Sequence, residues 1–350
     1  MGKRFEKGPR LGDYFLQHRK FKRTFLDDIE ELVDWKPIQA FLNKKLKRKA
    51  NAVGNPAYPA LPMFKILLLQ RWYNLSDPAT EQALLDRFSF IRFVGFSIED
   101  DVPDETTICR FRNGLIKLKI LDKLLDLINS QIQKQGLLVR EGAVVDASVV
   151  ESQRRPSKVI DVIAEDRAED EADEETGETA QDYSYKVSYS DDDEAAWLWK
   201  QRRAFYGYKI HVATDSRDGF ILGGHATPAN LSDTGEFERL VDEVKVDEGA
   251  YFYADKGYTS AHNRDVLHER GLKDGIMDRA TRSGPLNRHE KTRNRLISSV
   301  RPLVERAFGA FKRWYGFTRS RYVGMEKVEA ELKLIAMAFN LKKAAHLART

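Results

Sequence analysis

Three carboxylates stand in positions where a charge calls for a reason. Asp146 lies inside the apolar run Ala143-Val144-Val145-Asp146-Ala147, a short stretch of the buried-strand kind, and an unpaired charge there is costly. Asp255 ends a second apolar run, Ala250-Tyr251-Phe252-Tyr253-Ala254, and precedes Lys256-Gly257-Tyr258, a turn that would expose the carboxylate at a sheet edge. Glu305 follows Arg301-Pro302-Leu303-Val304 in a helical stretch whose other faces are apolar or basic. Two strand-borne aspartates and a helix-borne glutamate meeting at one sheet end would make a cage for a hard cation. Magnesium suits it, because that ion keeps several waters and needs few carboxylates. Two such ions about 4 Å apart can deprotonate a water and stabilise the leaving oxygen of a phosphodiester. Taken singly, Asp255 also reads as a turn former and Glu305 as an ordinary helix-surface glutamate. Their company beside a basic carboxy-terminal stretch gives them weight.

The elements that must position these residues follow from the hydrophobic period. From about residue 11 to 136 the pattern is helical. Leu121, Leu124, Leu125, Ile128 and Ile132 share one helix face with Gly136 as a stop, Leu61 to Trp72 reads as a buried helix, and Asp104 is placed to cap a third. That third helix carries Arg110-Phe111-Arg112, and the helical region could serve either as a DNA reader or as a dimerising cap. After Gly142 the period shortens. Phe205 to Thr214 alternates, Asp215 to Gly219 is a turn, and Phe220-Ile221-Leu222 returns as the partner strand. A helix is expected from Thr234 to Val244, a strand at 250–254, and a helix from Leu296 to Trp314 with Pro302 near its start. The expected class is α/β: a helical domain over 1–138, then a mixed-sheet domain over 139–350. His211 and His225 read as packing or hydrogen-bonding residues rather than zinc ligands, Trp314 and Tyr315 as core, and Tyr14 to Phe25, where aromatics interleave with bases, as either DNA-contacting or packed.

Charge points to the partner. The chain holds 58 Lys/Arg and 54 Asp/Glu, a net of +4, but Asp161 to Glu194 contains 15 acids against Arg167 and Lys186. The remainder carries 56 Lys/Arg against 39 acids, which makes it strongly basic and directs attention to a polyanion. The acidic stretch, about 155–195, lacks the apolar content to bury itself and is expected to be a disordered insertion. The single cysteine, Cys109, excludes a disulfide scaffold or Cys-ligated zinc and fits a reducing cytoplasm. No apolar run is long enough for a membrane span, and no secretory signal is expected at Met1-Gly2-Lys3-Arg4.

With these residues in view the sequence resembles the DDE transposases of bacterial insertion sequences, of the insertion-sequence-five group, over nearly its whole length. The resembling motifs are Val144-Val145-Asp146-Ala147-Ser148, Tyr253-Ala254-Asp255-Lys256-Gly257-Tyr258, and Arg301-x3-Glu305-x6-Lys312. The last matches the family's Tyr-x2-Arg-x3-Glu-x6-Lys signature except at the tyrosine, which is Ser298 here. Leu75-Ser76-Asp77 through Arg110-Phe111-Arg112, with Val102-Pro103-Asp104 and Thr107 between, is similar to the family's amino-terminal region. The resemblance implies an RNase H-like core with Asp146, Asp255 and Glu305 as a triad holding two Mg2+ ions, for which Mn2+ can substitute. It implies cleavage of DNA by water at a terminal inverted repeat, then attack of the freed 3′-hydroxyl on target DNA. Arg301 and Lys312 would contact terminal phosphates, with Lys256, Arg110 and Arg112 as further DNA-contacting candidates. A homodimer or higher oligomer on DNA, in the cytoplasm at the nucleoid, is the expected working form. Two other outcomes stay open: a catalytically silent DNA-binding regulator derived from such an enzyme, and a nuclease that cuts without joining.

Overall fold

The change of period near Gly142 marks a change of architecture in the computed structural model, which describes residues 22–46, 57–165, 182–190, 192–200, 202–280 and 284–349. Before it come α1 (Phe25–Leu32), α2 (Trp35–Lys45), α3 (Ala60–Trp72), α4 (Asp77–Asp86), α5 (Phe88–Val94), α6 (Glu105–Lys117) and α7 (Leu121–Lys134). Asp104 caps α6 as expected, its carboxylate accepting from the Thr107 N–H at 2.6 Å. The leucine–isoleucine stripe of α7 is buried, and Gly136, at φ +74°, turns the chain out of that helix. α3 is buried on every side from Met63 onward, Arg71 included, because α2, α4, α5, α6 and the last helix of the chain all pack on it. Of the aromatic–basic stretch, Tyr14 to Phe21 lies outside the described residues; Phe25 packs edge-on against Trp72 at 5.6 Å.

The second part holds β1 (Gly142–Glu151), β2 (Ser157–Glu165), β3 (Asp182–Ser190), β4 (Ala196–Lys200), β5 (Arg203–Asp215), β6 (Ile221–Pro228), α8 (Phe237–Glu243), β7 (Tyr251–Ala254), α9 (Ala261–Glu269), β8 (Lys273–Ile276), α10 (Arg288–Val300), α11 (Pro302–Trp314) and α12 (Met325–Leu347). β5 runs antiparallel to β1 on one side. Its other edge is shared, with β4 along its first residues and β6 along the rest. β7 and then β8 extend the sheet in parallel beyond β1. α11 packs on β1 and β5, while α12 packs on β6 and also on α1, α3, α6 and α7. Helical and sheet parts thereby contribute to one contiguous core.

Four expectations change. The helix expected from Leu296 to Trp314 is two helices meeting at Arg301, since Pro302 has no N–H to donate and its ring obstructs the preceding turn. The helix expected from Thr234 begins only at Phe237, after a turn. Trp314 is exposed rather than core. α11 buries Val304, Ala307, Phe308 and Phe311, and where it ends Tyr315 takes the next inward position. The acidic insertion is structured at its margins: β2 and β3 pair as an antiparallel ribbon, and residues 166–181 lie outside the described residues. Asp192, within the expected insertion, is buried and accepts from Ser152 Oγ at 2.7 Å, the Tyr208 hydroxyl at 2.6 Å and the Gly324 N–H at 3.2 Å. Local acidity concealed a buried hydrogen-bonding hub.

The two histidines are packing and hydrogen-bonding residues. Their rings stack at 5.0 Å on β5 and β6, fully buried, with His211 Nε2 3.0 Å from Thr227 Oγ1 and His225 Nδ1 2.8 Å from Glu243. Burial first, then the neighbouring His225, Lys209 and Arg239, push the His211 imidazole down to about 3. The unfolded chain therefore takes up a proton near pH 6.5 that the folded chain refuses, so stability falls as pH drops below that value. Acidification from pH 7 to 5 should cost about 2 kcal/mol through this residue, by linkage. Urea titrations of wild type and His211→Gln check it; equal pH dependence in both would contradict it.

Candidate active site

The parallel pairing of β1 with β7 brings the two aspartates together. Gly142, Ala143 and Val144 pair with Tyr251, Phe252 and Tyr253. The same offset carried two residues further sets Asp255 beside Asp146, on strands roughly 4.8 Å apart. Both positions then face one side of the sheet, because the side-chain period of the two strands is the same. Asp146 is mostly covered, and Oδ1 accepts from the Ala147 N–H at 2.8 Å. Burial raises its carboxyl above the ordinary range, and the Asp255 charge adds to that, against the opposing pull of the Ala147 N–H and Arg301.

Asp255 directly follows β7 and caps the single helical turn Lys256–Tyr258, accepting from the Gly257 N–H at 2.7 Å. A Cβ on Gly257 would lie 2.8 Å from that same Oδ1, so glycine is what lets the carboxylate turn back on its own loop. The loop is held from behind. Thr234 Oγ1 donates to the Gly257 carbonyl at 2.7 Å, and Asn263 Nδ2 donates to the carbonyls of Tyr258 at 2.8 Å and Thr234 at 3.1 Å. Tyr258 is fully buried beneath the site, and burial, with the charges of Asp233, Asp146 and Asp255, holds its phenol well above the usual range. No sequence pattern marks the link between Thr234 and this loop, since its partners Gly257 and Asn263 lie 23 and 29 residues away.

Arg301, at the break between α10 and α11, ties the third acid to the first. Its Nη2 donates to Asp146 Oδ2 at 3.1 Å and lies 3.5 Å from Glu305 Oε1. Among the described residues its buried Nε has no hydrogen-bond partner. Glu305 stands in the first turn of α11, more than half exposed, where the helix dipole favours a negative charge. Lys312 lies two turns further along the same helix, and Lys256 is exposed directly after Asp255.

The remaining candidates sit elsewhere. Arg110 and Arg112 belong to α6, which packs on α3, α4 and α12. Arg110 is exposed, but Arg112 is only 4% exposed and donates bidentately to Asp77 at 2.7 and 2.7 Å, stacked 4.6 Å from the Tyr322 ring. Its expected DNA contact is corrected on that ground: a buried fork already spent on a carboxylate cannot also reach a phosphate. Ser298 is exposed on α10, with Oγ 3.9 Å from Met277 Sδ.

Among the described residues no three His, Cys, Asp or Glu side chains stand in a ready metal-holding group. The donor set nevertheless fits a hard cation. It is all carboxylate, with one carboxyl destabilised as a charge by burial and by its like-charged neighbour, and with a cationic guanidinium already drawn between two of the three acids.

Residues 14–114 match the family described as Transposase domain (DUF772). Residues 138–341 match the family described as Transposase DDE domain. The transposase for insertion sequence element IS1106 of Neisseria meningitidis serogroup B is 37% identical over 240 residues, covering 68% of this chain and 77% of that protein. A solved piggyBac transposase synaptic complex with hairpin DNA aligns with a TM-score of 0.41 and 11% identity, over 92% of this chain and 73% of that one. The mixed sheet, with its helical amino-terminal region, is the RNase H-like fold expected for such a family. The chain belongs to the DDE transposases of bacterial insertion sequences.

Proposed function

We propose that the protein binds the terminal inverted repeats of its own element, cleaves the DNA there with water, and joins the freed 3′-hydroxyl to target DNA. The observation that carries this reading is that Arg301 lies between Asp146 and Glu305, while the parallel pairing of β1 with β7 brings Asp255, just past β7, beside Asp146. Asp146, Asp255 and Glu305 would hold two Mg2+ ions, or Mn2+ in their place. Bound there, the ions would activate the attacking water and offset charge on the leaving oxygen. Arg301 and Lys312 would meet the phosphates of the DNA end along α11, with Lys256 and Arg110 as additional backbone contacts. The working form is a homodimer or higher oligomer on DNA, acting in the cytoplasm at the nucleoid; among the described residues no helix is long and apolar enough to cross a membrane.

The test is a reaction of a repeat-ended duplex, a supercoiled plasmid and Mg2+. Duplex strands covalently joined to plasmid through their 3′ ends are the expected product. Cuts without joined product would leave a nuclease, and binding with neither would leave a silent DNA-binding protein.

A further inference from the structure

Arg293 on α10, mostly covered at 24% exposure, engages four acceptors at once. Its Nη1 donates to the Ile276 carbonyl at 2.7 Å and to Asp278 Oδ2 at 2.9 Å. Its Nη2 donates to the Asp274 carbonyl at 2.9 Å and lies 3.0 Å from Asp274 Oδ2. Arg264 of α9 reaches the same two carboxylates, donating to Asp278 Oδ1 at 2.8 Å and also to Asp274. Asn294, the next residue of α10, grips the backbone of Asp278. Its Oδ1 accepts from the Asp278 N–H at 2.8 Å, and its Nδ2 donates to the Asp278 carbonyl at 2.9 Å. Two arginines facing two aspartates leave this clasp without excess charge. Its donors are spent on β8 and the residues just past it.

The clasp lies between the second acid and the third. β8 pairs with β7 in parallel, Ala254 with Ile276, so Met277 comes next to Asp255. The Met277 N–H donates to the Ala254 carbonyl at 3.1 Å. The Met277 carbonyl accepts at 2.6 Å from Thr259 Oγ1, at the end of the helical turn that Asp255 caps. On the other side, α10 passes into α11 with no loop between them, since Arg301 itself keeps helical angles, φ −55° and ψ −33°. Arg301 reaches Asp146, and Glu305 stands about one turn beyond it. Hydrogen bonds and one helix therefore join the loop of Asp255 to Glu305, through Thr259, Met277 and Asp278, then Arg293 and Asn294, then the helical junction.

We infer that Arg293 is a positioning residue: by fastening α10 to the exit of β8 it sets the spacing of Glu305 from Asp146 and Asp255, and so the fit of a divalent cation among them. This rests on the proposal that these three acids hold metal. A guanidinium fork spread over two carboxylates and two carbonyls fixes an orientation, which the point charge of an ammonium does not. Val304, Ala307, Phe308 and Phe311 seat the body of α11 on the sheet. Loss of the clasp therefore loosens the junction and the first turn, where Glu305 stands, rather than the whole helix.

Two variants test this. Arg293→Lys keeps the charge facing Asp274 and Asp278 and loses the fork; Arg293→Ala loses both. Mn2+ is the probe, its binding to the protein read by electron paramagnetic resonance. Both variants should bind Mn2+ more weakly than wild type, by about tenfold or more in Arg293→Ala and by less in Arg293→Lys. Without metal, hydrogen exchange should quicken at the Val304 and Glu305 amides, which bond to the Arg301 carbonyl at 3.1 and 3.3 Å, while β1 and α12 keep wild-type rates. The Mn2+ concentration that half-activates cleavage should rise by a similar factor, with excess metal recovering part of the rate. Wild-type Mn2+ affinity in both variants would overturn the proposal. So would weakened affinity with faster exchange throughout β1 and α12, the mark of general destabilisation. Failure of the metal reading is separately visible: Mn2+ binding by the protein that retains Arg293 would then be indifferent to Asp146→Asn and Glu305→Gln.

Discussion

Asp146→Asn, Asp255→Asn and Glu305→Gln should each lower metal-dependent cleavage of a terminal repeat on the order of 10³-fold or more, about 4 kcal/mol of transition-state stabilisation. Each replacement keeps the shape of the side chain and removes its charge, so the loss reads electrostatics rather than packing. Asp146 on β1 and Asp255 just past the neighbouring β7 are the inner pair. Their mutual repulsion and the burial of Asp146 cost free energy, a kind of cost concentrated at sites that work on charge. Glu305 is the more exposed partner, on a helix positioned by the Pro302 break and joined to Asp146 through Arg301. Duplex binding should survive all three changes, because contacts to phosphate dominate affinity. The readouts are single-turnover cleavage in Mg2+ and equilibrium binding of the same duplex. A variant that cuts at near the wild-type rate loses its place in the triad, and one that fails to bind has been damaged elsewhere.

The second large effect concerns stability. Arg71 on α3 and Glu331 on α12 form an ion pair at 2.7 Å with the two side chains 2% and 1% exposed. Arg71 Nη2 also lies 3.2 Å from the Tyr322 hydroxyl, and Glu331 Oε2 accepts from the Arg321 N–H at 2.9 Å. Tyr322 in turn lies under Arg112, which is held by Asp77. This network stands where the amino-terminal helices meet the carboxy-terminal helix. Arg71→Ala or Glu331→Ala leaves a buried charge without its partner and should destabilise the protein by about 3–5 kcal/mol. Replacing both at once, Arg71→Met with Glu331→Leu, should return part of that loss, since no lone charge then remains buried. Urea unfolding of the three variants measures this. A loss under about 1 kcal/mol in both single variants would show the pair to be dispensable.

How far the site could be read in advance depended on the range of the interactions that make it. Asp146 was conspicuous because a charge stands out inside a short apolar run, and such a run by itself marks a buried strand. The turn after Asp255 was visible because a glycine must follow where a side chain would crowd the carboxylate. Arg112 misled for the opposite reason. A basic residue beside Phe111 looks the same whether it faces DNA or an aspartate 35 residues away, and only the packing of α6 against α4 decides which. Asp192 misled likewise, since its acidic surroundings gave no sign that Tyr208 and Gly324 converge on it.

Period, caps, chain breakers and motif spacing are properties of contiguous residues, and from them came the helical and sheet regions, the capped α6, the carboxylate candidates and the family resemblance. Other features are pairings across the chain. The offset that sets Asp255 beside Asp146, the guanidinium of Arg301 between two acids, the burial of Arg112 and the clasp of Arg293 on the end of β8 exist only once β1 has found β7, α11 has packed on the sheet, and α12 has closed the core. Their partners lie tens to hundreds of residues away, and a local pattern carries no record of which distant group will fill the space beside it.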